Sequence, residues 1–349
     1  MEVRSPAVIK LFGEHAVVYG KTAVAAAVSF YATASVAETG DETLTIVVTK
    51  PGSQHVFSKN ELILLYDSYK NRTNVDSFLA TTNPILEKSP EIFPFAVIAA
   101  RLYAEEKIDV LGERIIIESD IPKKKGMASS AARYVAFTTA LLALSPKKLS
   151  NEKIIDIALD GERITHRNEG AGKIDVPTSF YGGYVSYDKI NGAKKLSLPD
   201  NTDILIVDTG PKKSTAQTVG HIQGLHRKDQ NGTELILEEM NSCSLKGMEA
   251  LKIGDMVEVG KNMFKTHQLL AKLGVSTENL DKAVEVARKA DAYGAKLSGG
   301  GGGGILIAIG ENPTRLAQAM RKEGFEVSLA TVAGKGAESY LKSKSVSRN

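Results

Sequence analysis

A single cysteine, Cys243, leaves this sequence no intramolecular disulfide and no multi-cysteine metal site, which fits a reducing cytosol. No run approaches the roughly 18 apolar residues that a membrane-spanning helix needs. The start, "EVRSPAVIKLF", is strand-like and lacks the charged segment and apolar stretch of a secretory leader, so a cytoplasmic protein is expected. None of the six histidines falls into an HExxH zinc pair. "GKT" at Gly20 to Thr22 would close a Walker A loop only if a glycine stood five positions before Gly20, where His15 stands. Net charge is only +3, which marks neither a nucleic-acid nor a membrane-surface protein and suits an enzyme of anionic small molecules.

What is present is an ordinary globular composition: 349 residues, 42% apolar and 24% charged, enough for two domains at roughly 150 residues each. Strands are expected at Glu2 to Phe12, Thr43 to Val48, Arg114 to Glu118, "GGYVSYDK", "TDILIVDTG", "ILIAIG" and "EVSLATV". Helical spacing runs through "EIFPFAVIAARLYAEEK", "SSAARYVAFTTALLAL" and "NEKIIDIALDGERITHR". It returns near Ser214 to Leu225, Gly232 to Leu251, Met256 to Leu273, Thr277 to Ala290 and Thr314 to Glu323. The mixture lacks a regular βαβ alternation, so the fold class is α+β. "KINGAKKLSLPDN" is the least structured boundary and divides the chain into 1–195 and 196–349. The tail "KSKSVSRN" reads as a frayed terminus.

Three segments carry chemistry. "AKLSGGGGGGILIAIG" holds six consecutive glycines, Gly299 to Gly304, entered by small residues and left through an apolar strand. That setting favours a tight turn at a cleft over a flexible linker, because glycine permits positive φ and close approach. "IPKKKGMASSAARYVAF" is a loop entering a helix, with Ser129 and Ser130 at the start. Free N–H groups and the helix dipole make such a start either an anion site or a plainly capped terminus, and Lys123, Lys124 and Lys125 tilt it toward phosphate. "DGERITHRNEGAGKIDVPTSFYGGY" puts Glu162 in a helix and Asp175 in a polar loop before a strand. Phosphoryl transfer to an alcohol needs one or two Mg²⁺ ligands, a carboxylate for the hydroxyl proton and a cation for the spreading charge. Glu162, Ser130 and Asp175 with a lysine would supply that set.

Taken in order, "SPAVIKLFGEHAVVYGKTAVAAAV", "IPKKKGMASSAARYVAF" and "GAKLSGGGGGGILIAIG" resemble the three motifs of the GHMP small-molecule kinases, and "GEHAVVYG" is most similar to the mevalonate kinases within them. The resemblance spans residues 5 to 310. It implies a ribosomal S5 domain 2-like N-terminal domain, a ferredoxin-like C-terminal domain and a site between them. It further implies ATP and Mg²⁺ as cofactors and mevalonate or a close analogue as substrate, with no nucleic acid or membrane partner; a homodimer is left open.

Carried over by position, Asp175 is the base, Lys10 the catalytic cation, and Ser130 and Glu162 the Mg²⁺ ligands. Nucleotide falls to Lys124, Lys125, Gly126, Met127, Ala128, Ser129, Ser130 and Ala131. Substrate falls to Glu14, His15, Asp175, Tyr181, Thr215 and Gly300.

The departures are specific. The family lysine two residues after Pro6 is Val8 here, Lys124 and Ala128 replace glycines, and Asp175 follows Glu162 by 13 positions, about two more than usual. "AVIKLFG" and "GMASSAARYVAF" resemble the diphosphomevalonate decarboxylases, whose lysine matches Lys10 but whose aspartate belongs in the C-terminal motif, all glycine here. Residues 8 and 10 share one strand face, roughly 6 to 7 Å apart, which a lysine side chain spans. A decarboxylase of a phosphorylated mevalonate, a kinase for another small alcohol and a catalytically weak binding relative are the alternatives.

Overall fold

A computed structural model describes residues 1–81, 89–122, 125–198, 202–211 and 213–340. The tail expected to fray lies outside them.

The first sheet is built on β1 (Glu2–Phe12) and β2 (Ala23–Glu38), with β5 (Glu113–Ser119), β3 (Thr43–Val48) and β4 (Ser53–Ser58) following outward. β6 (Tyr184–Asp188) pairs with the first residues of β2 and carries β7 (Gly192–Leu196). All pairings are antiparallel except β3 with β5. β12 (Glu338–Tyr340) comes back from the far end of the chain to pair with Glu2 to Arg4 of β1. The second sheet, in the order β11-β8-β10-β9, comprises β8 (Asp203–Asp208), β9 (Gly294–Ser298), β10 (Ile305–Ile309) and β11 (Glu326–Thr331). The expected division after residue 195 falls inside β7, just before the chain crosses to the second sheet.

Helices cover both sheets. α1 (Lys59–Lys70), α2 (Val75–Thr81), α3 (Phe93–Ala104), α4 (Ser129–Ala143), α5 (Asn151–His166) and α6 (Asp175–Tyr181) belong with the first. α7 (Thr215–Lys228), α8 (Gln230–Ile253), α9 (Met256–Lys272), α10 (Glu278–Lys289) and α11 (Pro313–Lys322) follow β8. Several start where a side chain satisfies free backbone N–H groups, as Ser58, Ser150, Ser214 and Thr277 do. β9 and β10 are buried at every residue, as strands covered on both faces should be. An apolar seam joins the halves: Ile9, Phe12, Val24 and Tyr184 from the first sheet meet Ile206, Ile305 and Ile307 from the second, together with Met263 of α9. No described helix is long and apolar enough to cross a membrane.

One element differs in kind from expectation. Asp175 is not a loop residue but the first residue of α6. A carboxylate in a first turn faces the positive end of the helix dipole, which favours this start.

Candidate active site

β1 runs up to the seam and presents Lys10 near its end. The Lys10 ammonium donates to both carboxylate oxygens of Asp175, at 2.8 and 3.0 Å. The two side chains remain 22% and 17% exposed, so the pair is partly open to solvent and not sealed in the core. Val8, two residues earlier, is buried in an apolar cluster with Ala23, Ala25 and Ile174. The cation on this strand face therefore meets the aspartate from position 10. Burial alone would lower the Lys10 pKa, but Asp175, with Glu14 and Glu162 behind it, outweighs that and raises it.

Glu162 lies on α5, one turn before its end, and is 3% exposed. One carboxylate oxygen meets His166 Nε2 at 3.3 Å; the other, Oε1, is buried with no protein partner. The hydrogen bond to Glu162 raises the His166 pKa against its burial. The connection to Asp175 folds back over this carboxylate: at Gly172, φ +74°, a Cβ would lie 2.7 Å from Glu162 Cγ. Only glycine fits that approach, and it brings Asp175 beside Glu162 despite the longer spacing.

α4 opens against the same residues. Ala131 packs with Ala158 in the middle of α5 and Val176 in the first turn of α6, so the first turn of α4, with Ser129 and Ser130, lies against both helices. Its N-cap is Ala128, held at φ 49° and ψ 42° with no side-chain cap, and Gly126 stands at φ 94°. The helix thus begins with free N–H groups, as an anion site requires. Ala128 occupies the left-handed conformation that a glycine takes without strain. Met127 turns its side chain into the seam, while its carbonyl accepts from the Val8 N–H at 3.1 Å.

The glycine run forms the third wall. Gly299 and Gly301 to Gly304 all have positive φ. Their backbone is bonded on both sides: the Gly302 N–H donates to the Val275 carbonyl at 2.8 Å, and Lys213 N–H to the Gly302 carbonyl at 2.9 Å. A Cβ at Gly301 would lie 2.4 Å from the Val275 carbonyl oxygen. This is a tight turn, not a linker. His15, in a left-handed backbone at φ 61°, bonds the Gly300 carbonyl through Nε2 at 2.9 Å. Glu14, 2% exposed, pairs with the fully buried Lys296, and its other oxygen, Oε2, is buried without a partner.

Not every expected residue joins this cluster. Lys125 turns to Asp208 of β8, beside a cleft of about 570 Å³ lined also by Met127, Arg321 and Phe325. Tyr181 ends α6, about 9 Å of helix rise from Asp175. Thr215 opens α7, with its side chain outside the described part, and Lys124 lies outside the described residues altogether. Conversely, Lys296, Ser298 and His166 belong to the site without having been singled out. The alternation in "GAKLSG" puts residues 296 and 298 on one strand face, and His166 follows Glu162 by one helical turn.

The chain is similar to known proteins along most of its length. Residues 95–183 match the family described as GHMP kinases N terminal domain, and residues 248–325 match GHMP kinases C terminal. The chain is 32% identical over 346 residues to a mevalonate kinase of Thermococcus gammatolerans, covering 95% of this chain and 96% of that one. It is 32% identical over 316 residues to a mevalonate kinase of Pyrococcus horikoshii, 87% of each. Among solved structures, the mevalonate kinase of Methanococcus jannaschii superposes with a TM-score of 0.77 at 26% identity, covering 95% of this chain and 98% of that one.

Proposed function

The chain belongs to the GHMP kinase family, and from that premise we propose that it transfers the γ-phosphoryl group of ATP to the primary hydroxyl of mevalonate, giving 5-phosphomevalonate and ADP. The observation that carries this reading is the Lys10–Asp175 pair set between the opening of α4 and the glycine turn. The acceptor oxygen attacks phosphorus as the bond to the bridging oxygen of ADP breaks, and the hydroxyl proton passes to Asp175. Because the transition state is loose, the hydroxyl must be held in line more than strongly activated, and a carboxylate fixed by a lysine and a helix start suits that task. Lys10 serves the charge that spreads over the transferring oxygens. Ser129, Ser130 and the free N–H groups behind Ala128 receive the nucleotide phosphates.

Mg²⁺ fits the residues present. Glu162 offers a buried carboxylate oxygen without a protein partner, and Ser130 opens the neighbouring helix. Among the described residues no cluster of three or more His, Cys, Asp or Glu could hold a metal unaided, which agrees with an ion completed by nucleotide phosphates and water. Mg²⁺ would supply charge neutralisation across those phosphates. The decarboxylase alternative requires an aspartate in the glycine run, and Gly299 to Gly304 carries none. Coupled detection of ADP with mevalonate, its phosphates, homoserine and sugars as acceptors, followed by NMR location of the new phosphate, tests the reading. ADP formed fastest with another acceptor, or released together with CO₂, would sink it. Asp175→Asn lowers kcat by about 10²-fold or more if Asp175 receives the proton.

A further inference from the structure

Lys10 is a long, flexible side chain on a strand whose ladder is irregular where it matters. β1 slips register against β2 between Lys10 and Phe12, and β12 covers β1 only from Glu2 to Arg4. The Lys10 main chain is held instead by two side chains of β9, in the other sheet. Its N–H donates to Ser298 Oγ at 2.9 Å, and Ser298 Oγ donates to the Lys10 carbonyl at 3.2 Å. Lys296 Nζ donates to that same carbonyl at 3.3 Å, to the Leu297 carbonyl at 2.6 Å and to Glu14. Lys296 is fully buried, a costly place for an ammonium, and Ser298 is 1% exposed. Neither residue has a part in the chemistry above, and both reach the main chain of one residue of β1.

We propose that Lys296 and Ser298 are positioning residues for Lys10: a two-point clamp through which the second sheet fixes where the Lys10 ammonium meets Asp175. The clamp rests on the reading of Lys10 and Asp175 as the reacting pair. A serine hydroxyl that accepts from the N–H and donates to the carbonyl of one residue holds the two peptide planes on either side of its Cα, and the lysine above it locks the same carbonyl from a second direction. Without them the strand end would shift, and displacement on the order of 1 Å is enough to cost about 10²-fold in a positioned reaction. The Lys10 ammonium also faces Glu14 from the turn after β1 and Glu162 and His166 from α5, so a displaced lysine would exchange Asp175 for a mixed environment.

The test uses the full chain with Ser298→Ala, Ser298→Thr and Lys296→Met. In Ser298→Ala, kcat falls about 10-fold, within the range of such misplacement, while KM for ATP stays within about twofold. The Lys10 ammonium, followed by NMR of labelled lysine and assigned by its loss in Lys10→Met, titrates at lower pH, because burial is then less opposed by Asp175. The alkaline limb of the pH profile moves the same way. Ser298→Thr keeps the hydroxyl and restores both, and folded Lys296→Met reproduces the fall in kcat; the titration is read in the Ser298 variants alone, because loss of the Lys296 charge also removes a repulsion on Lys10. The clamp is overturned if the Lys10 titration in Ser298→Ala stays at its wild-type position, or if Ser298→Ala and Ser298→Thr lose activity together in proportion to lost folded protein. The titration needs no acceptor: a moved titration with no turnover on mevalonate would count against the assigned function, not the clamp.

Discussion

Lys10→Met is the substitution on which the assignment turns. Methionine keeps the length and apolar stem of lysine and removes only the charge that sits on Asp175 at 2.8 and 3.0 Å. Two unit charges about 4 Å apart interact by about 4 kcal/mol at an effective dielectric of about 20. Lys10 shares its charge with Asp175 and is 22% exposed, so the part available to a transferring phosphoryl group is about half, roughly 2 to 3 kcal/mol. At 1.36 kcal/mol per decade, kcat should fall about 10²-fold. KM for ATP should move little, because the free N–H groups at the start of α4 still receive the phosphates. Lys10→Arg keeps the charge in a broader head and should retain an intermediate rate. The assay is ADP release coupled to NADH oxidation, with thermal unfolding as a control for folding. A Lys10→Met enzyme turning over within about threefold of wild type, with an unchanged melt, would refute the electrostatic argument.

Glu162→Gln, which removes the charge of the buried carboxylate and keeps one carbonyl oxygen, should raise the Mg²⁺ concentration for half-maximal rate by about 10-fold or more, read from a metal titration at saturating ATP. Ala128→Gly should stabilise the protein by about 0.5 to 1 kcal/mol in a denaturant melt: it relieves left-handed strain worth about 1 to 2 kcal/mol and gives back part of that in backbone entropy. Glu105 tests the structure away from the site. Burial would raise its pKa, but Lys153, Tyr66 and Arg101 overcome that and lower it from 4.5 to about 2. A carboxylate so depressed stabilises the fold above its unfolded pKa and loses that contribution as pH falls through the folded one. Glu105→Gln should therefore be less stable than wild type by about 1 kcal/mol at neutral pH, after allowance for exposure, with the difference fading between about pH 4.5 and 2.

The sequence carried the chemistry further than it carried the fold. Glu162 on a helix, Ser129 and Ser130 at a helix start and the glycine run as a turn were legible because each depends on local rules: helical period, capping and positive φ. The offset of Lys10 from Val8 was legible for the same reason, since strand alternation alone places both on one face. β2 was harder to see, because its first six residues are all small, apolar and buried, so no alternation marks the strand until Ser29. The return of β12 to β1 could not be read locally, since three residues pairing across nearly the whole chain leave no periodic signal. Lys296 was hidden by the ordinary expectation that a lysine is exposed, and only the fold shows it sealed against Glu14. Lys125, one of a run that suggested phosphate, is paired with Asp208, a partner 83 positions later that no spacing rule announces.

The long-range pairing of β1 also has a consequence in time. Residue 2 waits for residue 340 to acquire its outer neighbour, and Lys10 waits 288 positions for the serine that holds its main chain. At a synthesis rate of about 5 to 20 residues per second, the first strand spends on the order of tens of seconds with these partners still unmade. Lys10 is thus among the earliest residues to leave the ribosome and among the last to be set in place, so a nascent chain can hold most of its helices long before it can hold the assembled site.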